Sequence, residues 1–160
     1  MTMNWPVWLG SGFIATSLLT TAMAASQGLG LSRINVPYIL GTMFTPDRDR
    51  AKVYGFLVHM VNGWIFALIY VGVFHVLGRA TWWFGALVGL LHSLLVLMVV
   101  FPLYPGIHPR MASEQRGPTV VRQLEPPGFL GLHYGARTPI AVIVPHVLFG
   151  AMLGLLYKPG

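Results

Sequence analysis

Three histidines lie inside long apolar stretches of this sequence, and they are its best candidates for chemistry. They are His59, His92 and His146. Ionisable side chains at membrane depth are costly, and those that occur commonly mark ion pathways or binding sites. Imidazole titrates near neutral pH and is a good ligand for Zn, Cu, Fe and Ni. We therefore expect the three histidines to bind or conduct a small ligand, a metal ion or a proton.

Two of these histidines occupy matching positions in an internal repeat. The spacing Arg-x8-His-x3-Gly-x3-(Ala/Gly)-Leu-(Ile/Leu)-Tyr occurs at 50–70 and again at 137–157. Upstream of each copy, a second motif, Pro-x-(Ile/Phe)-Leu-Gly-x-x-(Phe/Tyr), occurs at 37–44 and at 127–134. The duplication predicts two halves built on one plan, about 5–78 and 81–159, with the site between them.

The composition is that of a membrane protein. Hydrophobic residues make up 55% of the 160 residues and charged residues only 9%, whereas soluble domains carry about 25% charged residues. Four stretches approach the roughly 20 apolar residues that a spanning helix needs. They are approximately 7–26, 53–77, 81–103 and 138–157. The sequence predicts a single all-α transmembrane domain, an integral membrane four-helix bundle.

The distribution of basic residues predicts the orientation of that bundle. Eight of the ten Lys and Arg residues fall in the first and third loops, and only Arg79 and Lys158 lie on the other side. The positive-inside rule then places those two loops in the cytoplasm and both termini outside. The second and fourth spans run in the same direction, so the halves are parallel helix hairpins. The net charge of +6 indicates contact with anionic lipid headgroups and no nucleic-acid partner.

Two arginines of the repeat are candidate anion-binding residues. Arg50 and Arg137 each precede a repeat histidine by nine residues, about 13 Å along a helix. That spacing places both near the cytoplasmic headgroups. There they could snorkel to lipid phosphate, or together hold an anionic ligand, since guanidinium suits carboxylate and phosphate.

Small and polar residues accompany the histidines at helical spacing. On the 100° helical wheel they share, or lie next to, the face of a histidine. These candidate supporting residues are Asn62, Gly63, Ser93 and Gly150. Bundle packing is the simplest interpretation of the glycines, because small residues let helices approach closely in lipid. The polar members are candidate hydrogen-bond partners for the imidazoles.

Three motifs resemble those of a family of small four-helix prokaryotic membrane proteins. They are Phe-Pro-Leu-Tyr-Pro-Gly-Ile-His-Pro-Arg-Met at 101–111, Gly-Thr-Met-Phe-Thr-Pro-Asp-Arg-Asp-Arg at 41–50 and His-Tyr-Gly-Ala-Arg-Thr-Pro at 133–139. The resemblance covers most of the chain. It implies a multi-pass protein of the prokaryotic plasma membrane, and it implies no activity, so no functional residue is carried over from it.

Three functions remain open on the sequence alone. One is the binding or conduction site already described. A second is a b-type haem protein, with axial histidines on neighbouring helices and with Gly63 and Gly150 leaving room for the ring. A third is an accessory subunit that stabilises a larger membrane complex. The spans hold no Asp or Glu, the chain has no Cys, and no catalytic motif is present, so nothing in the sequence favours an enzyme.

Overall fold

The computed structural model describes residues 2–160, and within them the fold is entirely helical. The α-helices are α1 (Trp5–Gly28), α2 (Val36–Thr42), α3 (Arg48–Leu77), α4 (Trp82–Leu95), α5 (Phe101–Ile107) and α6 (Thr138–Leu156). A π-helical turn, Val96–Val100, joins α4 to α5, and a 3-10 segment, Phe129–Tyr134, precedes α6. Within residues 2–160 the only extended pairing is an isolated bridge between Met111 and Leu124.

Four helical stretches are long and apolar enough to cross a membrane, which agrees with the expected number of candidate spans. They are α1, α3, the continuous run Trp82–Ile107 and α6. The second span begins at Arg48, ahead of the apolar stretch, because the Asp47 side chain caps it by accepting the Arg50 N–H at 2.8 Å. The third span contains two prolines, Pro102 and Pro105. They follow the π-helical turn Val96–Val100, where the Phe101 N–H donates to the Val96 carbonyl.

The chain packs into two compact units. We call residues 2–25, 60–93 and 142–160 the helical unit, and residues 26–59 and 94–141 the loop unit. The helical unit contains most of α1, α4 and α6 together with the second half of α3. The loop unit contains α2, the first part of α3, α5 and the 3-10 segment.

Glycines set the distance between helices in the helical unit. A methyl group added at Gly85 of α4 would overlap the carbonyl oxygen of Gly150 on α6. A methyl group at Gly63 of α3 would overlap the side chain of Thr16 on α1. The pairs α4–α6 and α1–α3 therefore approach so closely that no side chain fits at these two glycines. Such close packing is expected for helices that associate in lipid.

The loop unit has its own glycine contact, between α2 and the start of α3. A methyl group at Gly41 would overlap the carbonyl oxygen of Ala51, and one at Gly55 would overlap that of Pro37. Asn35 begins α2, since its side-chain oxygen accepts the Tyr38 N–H at 3.0 Å. The α2 backbone therefore lies directly against the first two turns of α3.

The two copies of the Pro-x-x-Leu-Gly motif are both helical but differ in backbone. The first forms α2, a regular helix. The second is kinked, because Leu130 and Gly131 adopt left-handed φ angles of 56° and 70°. Gly131 packs against Thr138 and Phe101 at the kink. A two-fold relation between the two halves stays a prediction.

Replacing Gly41 with Ala should destabilise the loop unit. The new methyl group would collide with the Ala51 carbonyl, and overpacking of this kind costs about 1–3 kcal/mol or more. Gly72→Ala is the matched control, because Gly72 is also helical and has no atom within 4 Å of an added methyl group. We expect a lower thermal-unfolding midpoint in detergent for Gly41→Ala only. Equal midpoints for the two variants would contradict the backbone contact.

Candidate functional site

Two of the predicted site histidines are in direct contact in the helical unit. His92 of α4 and His146 of α6 meet edge to face, with ring centroids 4.7 Å apart and planes at 88°. Phe66 of α3 also stacks on His92, with centroids 4.0 Å apart. His146 is buried, with 6% of its surface exposed. The structure thus brings together a histidine pair inside apolar spans.

Each ring of this pair has one nitrogen held by a hydrogen bond. His146 Nδ1–H donates to the Val142 carbonyl oxygen at 2.8 Å. Because a carbonyl can only accept, the neutral ring carries its proton on Nδ1 and leaves Nε2 as an acceptor. His92 Nδ1 shares a 3.1 Å hydrogen bond with the Tyr70 hydroxyl. Tyr70, His92 and His146 therefore form a continuous polar cluster in an otherwise apolar unit.

The remaining site histidine belongs to the loop unit. His59 lies on α3 and is buried, with 8% of its surface exposed. A centre shared by His59 with the other two histidines stays a prediction.

Neither of the polar residues expected to support the histidines, Asn62 and Ser93, is the hydrogen-bond partner of His92 or His146. Ser93 is buried, and its hydroxyl donates to the Leu90 carbonyl of its own helix at 2.7 Å. Asn62 makes no side-chain hydrogen bond to residues 2–160. The partner of His92 is instead Tyr70, the last residue of the repeat motif.

The geometry leaves no room for a haem iron between His92 and His146. Two imidazoles that clamp one metal from opposite sides have centroids roughly 6 Å apart, given metal–nitrogen distances of about 2 Å. The observed separation is 4.7 Å. The space beside Gly150 is filled by the Gly85 backbone and the Tyr70 ring. Across residues 2–160, no group of three or more His, Asp or Glu residues is placed to hold a metal ion.

The two repeat arginines are exposed at the starts of their helices. Arg50 lies in the first turn of α3, and Arg137 directly precedes α6, where its carbonyl accepts the Ala141 N–H at 3.1 Å. Neither guanidinium has a hydrogen bond or ion pair with residues 2–160. Both remain available to lipid phosphate or another anion.

The loop unit contains a buried histidine whose role the sequence does not reveal. His108 is 1% exposed, and its Nε2–H donates to the Ile39 carbonyl at 2.9 Å. Its Nδ1 accepts the Arg110 N–H at 3.1 Å, and the Arg110 guanidinium donates to the Thr42 carbonyl. His108 and Arg110 therefore hydrogen-bond the segment that follows α5 to α2. These partners are more than 60 residues apart in sequence, so no local spacing could indicate them.

A second polar group in the loop unit surrounds Arg33. Its guanidinium donates to the His133 carbonyl, lies 3.3 Å from a Glu125 carboxylate oxygen and sits 5.9 Å from the Tyr134 ring centroid. The Tyr134 hydroxyl donates to the Glu125 carbonyl at 2.6 Å. Burial, with the nearby Glu125 charge, raises the pKa of Tyr134 to about 12, so its hydroxyl stays protonated. Arg33, Glu125 and Tyr134 line a cavity of about 540 Å³.

Comparison with protein-family models, with curated proteins and with solved structures finds no match to this chain. A function for the chain therefore rests on its own residues and geometry. The resemblance to small prokaryotic membrane proteins stays a prediction.

The buried His108 should make stability depend on pH. Burial lowers its pKa below the ordinary 6.5, an effect that the Ile39 hydrogen bond partly offsets and the Arg110 charge reinforces. The unfolded chain therefore takes up this proton at a higher pH than the folded chain does. The stability contributed by the neutral ring is complete above about pH 6.5 and is lost as the pH falls toward the folded-state value.

We expect the thermal-unfolding midpoint to fall between about pH 7.5 and about pH 5.5. The fall should be smaller in His108→Gln, which has no titrating ring. His133→Gln, which changes an exposed histidine of the same unit, is the control variant and tests whether the effect is specific to His108. Identical pH profiles for wild type and His108→Gln would show that His108 does not cause the effect.

Proposed function

We propose that this chain is a multi-pass protein of the prokaryotic plasma membrane that binds and relays a proton at His92, His146 and Tyr70. The observation that carries the proposal is the edge-to-face contact of two imidazoles inside helices that are long and apolar enough to span a membrane. Ionisable groups in such spans are rare because they are costly, and chains of them move protons in pumps and transporters.

The hydrogen bonds favour a proton over a metal ion. His146 Nε2 is an open acceptor, and the Tyr70 hydroxyl bonded to His92 Nδ1 can both donate and accept. Two imidazoles supply fewer ligands than the three or four protein groups of typical zinc sites. Two positive rings in contact would repel each other, so the pair holds one added proton at a time.

The proposal includes an orientation, with the loops that carry Arg50 and Arg137 in the cytoplasm and both termini outside. Its support is the eight-to-two distribution of basic residues. In that orientation the two arginines lie among cytoplasmic lipid headgroups.

Single-cysteine labelling tests this orientation, because the chain has no native cysteine. Arg79 and Arg116 are both exposed and lie on opposite sides in the proposed topology. A membrane-impermeant maleimide should label Arg79→Cys in intact cells, and Arg116→Cys only after permeabilisation. The reverse pattern would invert the topology.

Reconstitution tests the relay. Liposomes containing the protein and an internal pH-sensitive dye should dissipate an imposed pH gradient faster than protein-free liposomes. His92→Gln and His146→Gln should each reduce the rate to that of protein-free liposomes, because either substitution interrupts the pair. His133→Gln, which changes an exposed histidine outside the spans, should keep the wild-type rate.

The variants must first be shown to fold, by their thermal-unfolding midpoints. A folded wild-type protein that carries no more protons than empty liposomes would rule out conduction. The accessory-subunit function would then be the better proposal, and it would require the chain to co-purify with a stable membrane partner.

A further inference from the structure

We propose that the cavity of the loop unit binds a phosphate-bearing anion. The cavity is open to solvent and has a volume of about 540 Å³, and basic side chains of Arg33, Arg48 and Lys52 line it. Among residues 2–160, the one acidic residue in its wall is Glu125. The site therefore carries a net positive charge, and its volume exceeds that of inorganic phosphate, with room for an attached organic group.

Two of the cations project from one face of α3. Arg48 and Lys52 are four residues apart, so their side chains are neighbours on the helix surface. Arg48 occupies the first turn, where the helix dipole also favours an anion. The Arg48 guanidinium makes no hydrogen bond or ion pair with residues 2–160. Its donors are thus available at the cavity.

The partner of Lys52 is easily exchanged for a ligand. Its ammonium lies 2.9 Å from an Asp49 carboxylate oxygen, and both side chains are more than half exposed. Exposed ion pairs of this kind contribute little to stability. A bound dianion would offer Lys52 a stronger partner that also engages Arg48.

Arg33 supplies the third cation from a different segment. Its donation to the His133 carbonyl holds the guanidinium in place, while its contact with Glu125, at 3.3 Å, is again exposed. The planar guanidinium has five N–H donors and suits phosphate oxygens. Glu125 is a counter-ion to Arg33 that would compete with a bound anion.

Amide side chains complete the wall and suit phosphate oxygens. Gln27, Asn35 and Gln123 line the cavity. The Asn35 amide already donates to Gln27 Oε1 at 3.4 Å and the Gln123 amide to the Val120 carbonyl at 2.8 Å, so each of these two retains one N–H for a ligand. Three cations with neutral donors match a phosphomonoester dianion better than a single carboxylate, which one arginine could satisfy. Two sources share this chemistry: a soluble phosphomonoester and the headgroup of a lipid such as phosphatidic acid. The inference rests on the loop unit and is independent of the proposed proton relay.

The experiment uses the full chain in phosphatidylcholine nanodiscs. Inorganic phosphate and glycerol 3-phosphate are titrated by calorimetry, and in a second arm nanodiscs containing phosphatidic acid are analysed by native mass spectrometry for retained lipid. Arg48→Gln and Lys52→Gln should each weaken binding about tenfold, as expected from the loss of a charge-assisted hydrogen bond. Glu125→Gln should strengthen binding, because the competing negative charge is gone.

Arg116→Gln is the matched control. Arg116 is an exposed arginine of the same loop unit, and it is absent from the cavity wall among residues 2–160. Its substitution should leave binding unchanged. Unaltered thermal-unfolding midpoints show that the variants fold, as expected for exposed side chains.

Two results support the proposal and separate the sources. If soluble phosphates bind and the substitutions change that binding as expected, the ligand is a soluble phosphate compound. If only phosphatidic acid is retained, and the substitutions change its retention in the same way, the ligand is a lipid headgroup. The proposal is overturned if neither probe binds, or if Arg48→Gln and Arg116→Gln bind alike.

Discussion

The backbone contact between α4 and α6 is the constraint on which the histidine pair depends. A methyl group at Gly89 would overlap the carbonyl oxygen of His146. Gly89 lies one turn before His92 on α4, so the same close approach that excludes a side chain there brings the two imidazoles into contact. Any larger residue at Gly89 would move α4 away from α6 and separate the rings. The glycine spacing on α4 therefore allows the close helix packing, and that packing brings the two imidazoles into contact.

The repeat motif encodes a buried tyrosine whose hydroxyl bonds a histidine. Tyr70 and Tyr157 end the two copies and are 1% and 0% exposed. Tyr70 bonds His92, and Tyr157 bonds His75 Nε2 at 2.8 Å. A buried hydroxyl without a partner is costly, and histidine is a partner that can either donate or accept. In both copies, therefore, the buried tyrosine hydroxyl has a histidine as its hydrogen-bond partner, and that histidine is not part of the repeat motif.

The sequence predicted what depends on local composition and failed where distant segments meet. The number of candidate spans follows from apolar length, whereas α3 begins at Arg48, ahead of the predicted stretch 53–77, because Asp47 caps it. The three histidines of the apolar stretches were expected to share one site, and the structure places His92 against His146. The cavity around Arg33 and Glu125 joins residues about 90 apart, and the side chains of that loop carry no periodic signal. Its residues therefore could not be grouped before the fold was known.

The positions of the acidic residues limit which cations the helical unit can bind. All four Asp and Glu residues of the chain, at 47, 49, 114 and 125, lie in the loop unit. The histidine pair is instead bonded to a phenol and a backbone carbonyl, which are neutral. A divalent cation bound there would lack a counter-ion in an apolar surrounding, and such a charge is costly. A proton that binds and is then released imposes the cost of a buried charge only while it is bound. The histidine pair therefore suits proton relay better than permanent binding of a metal ion.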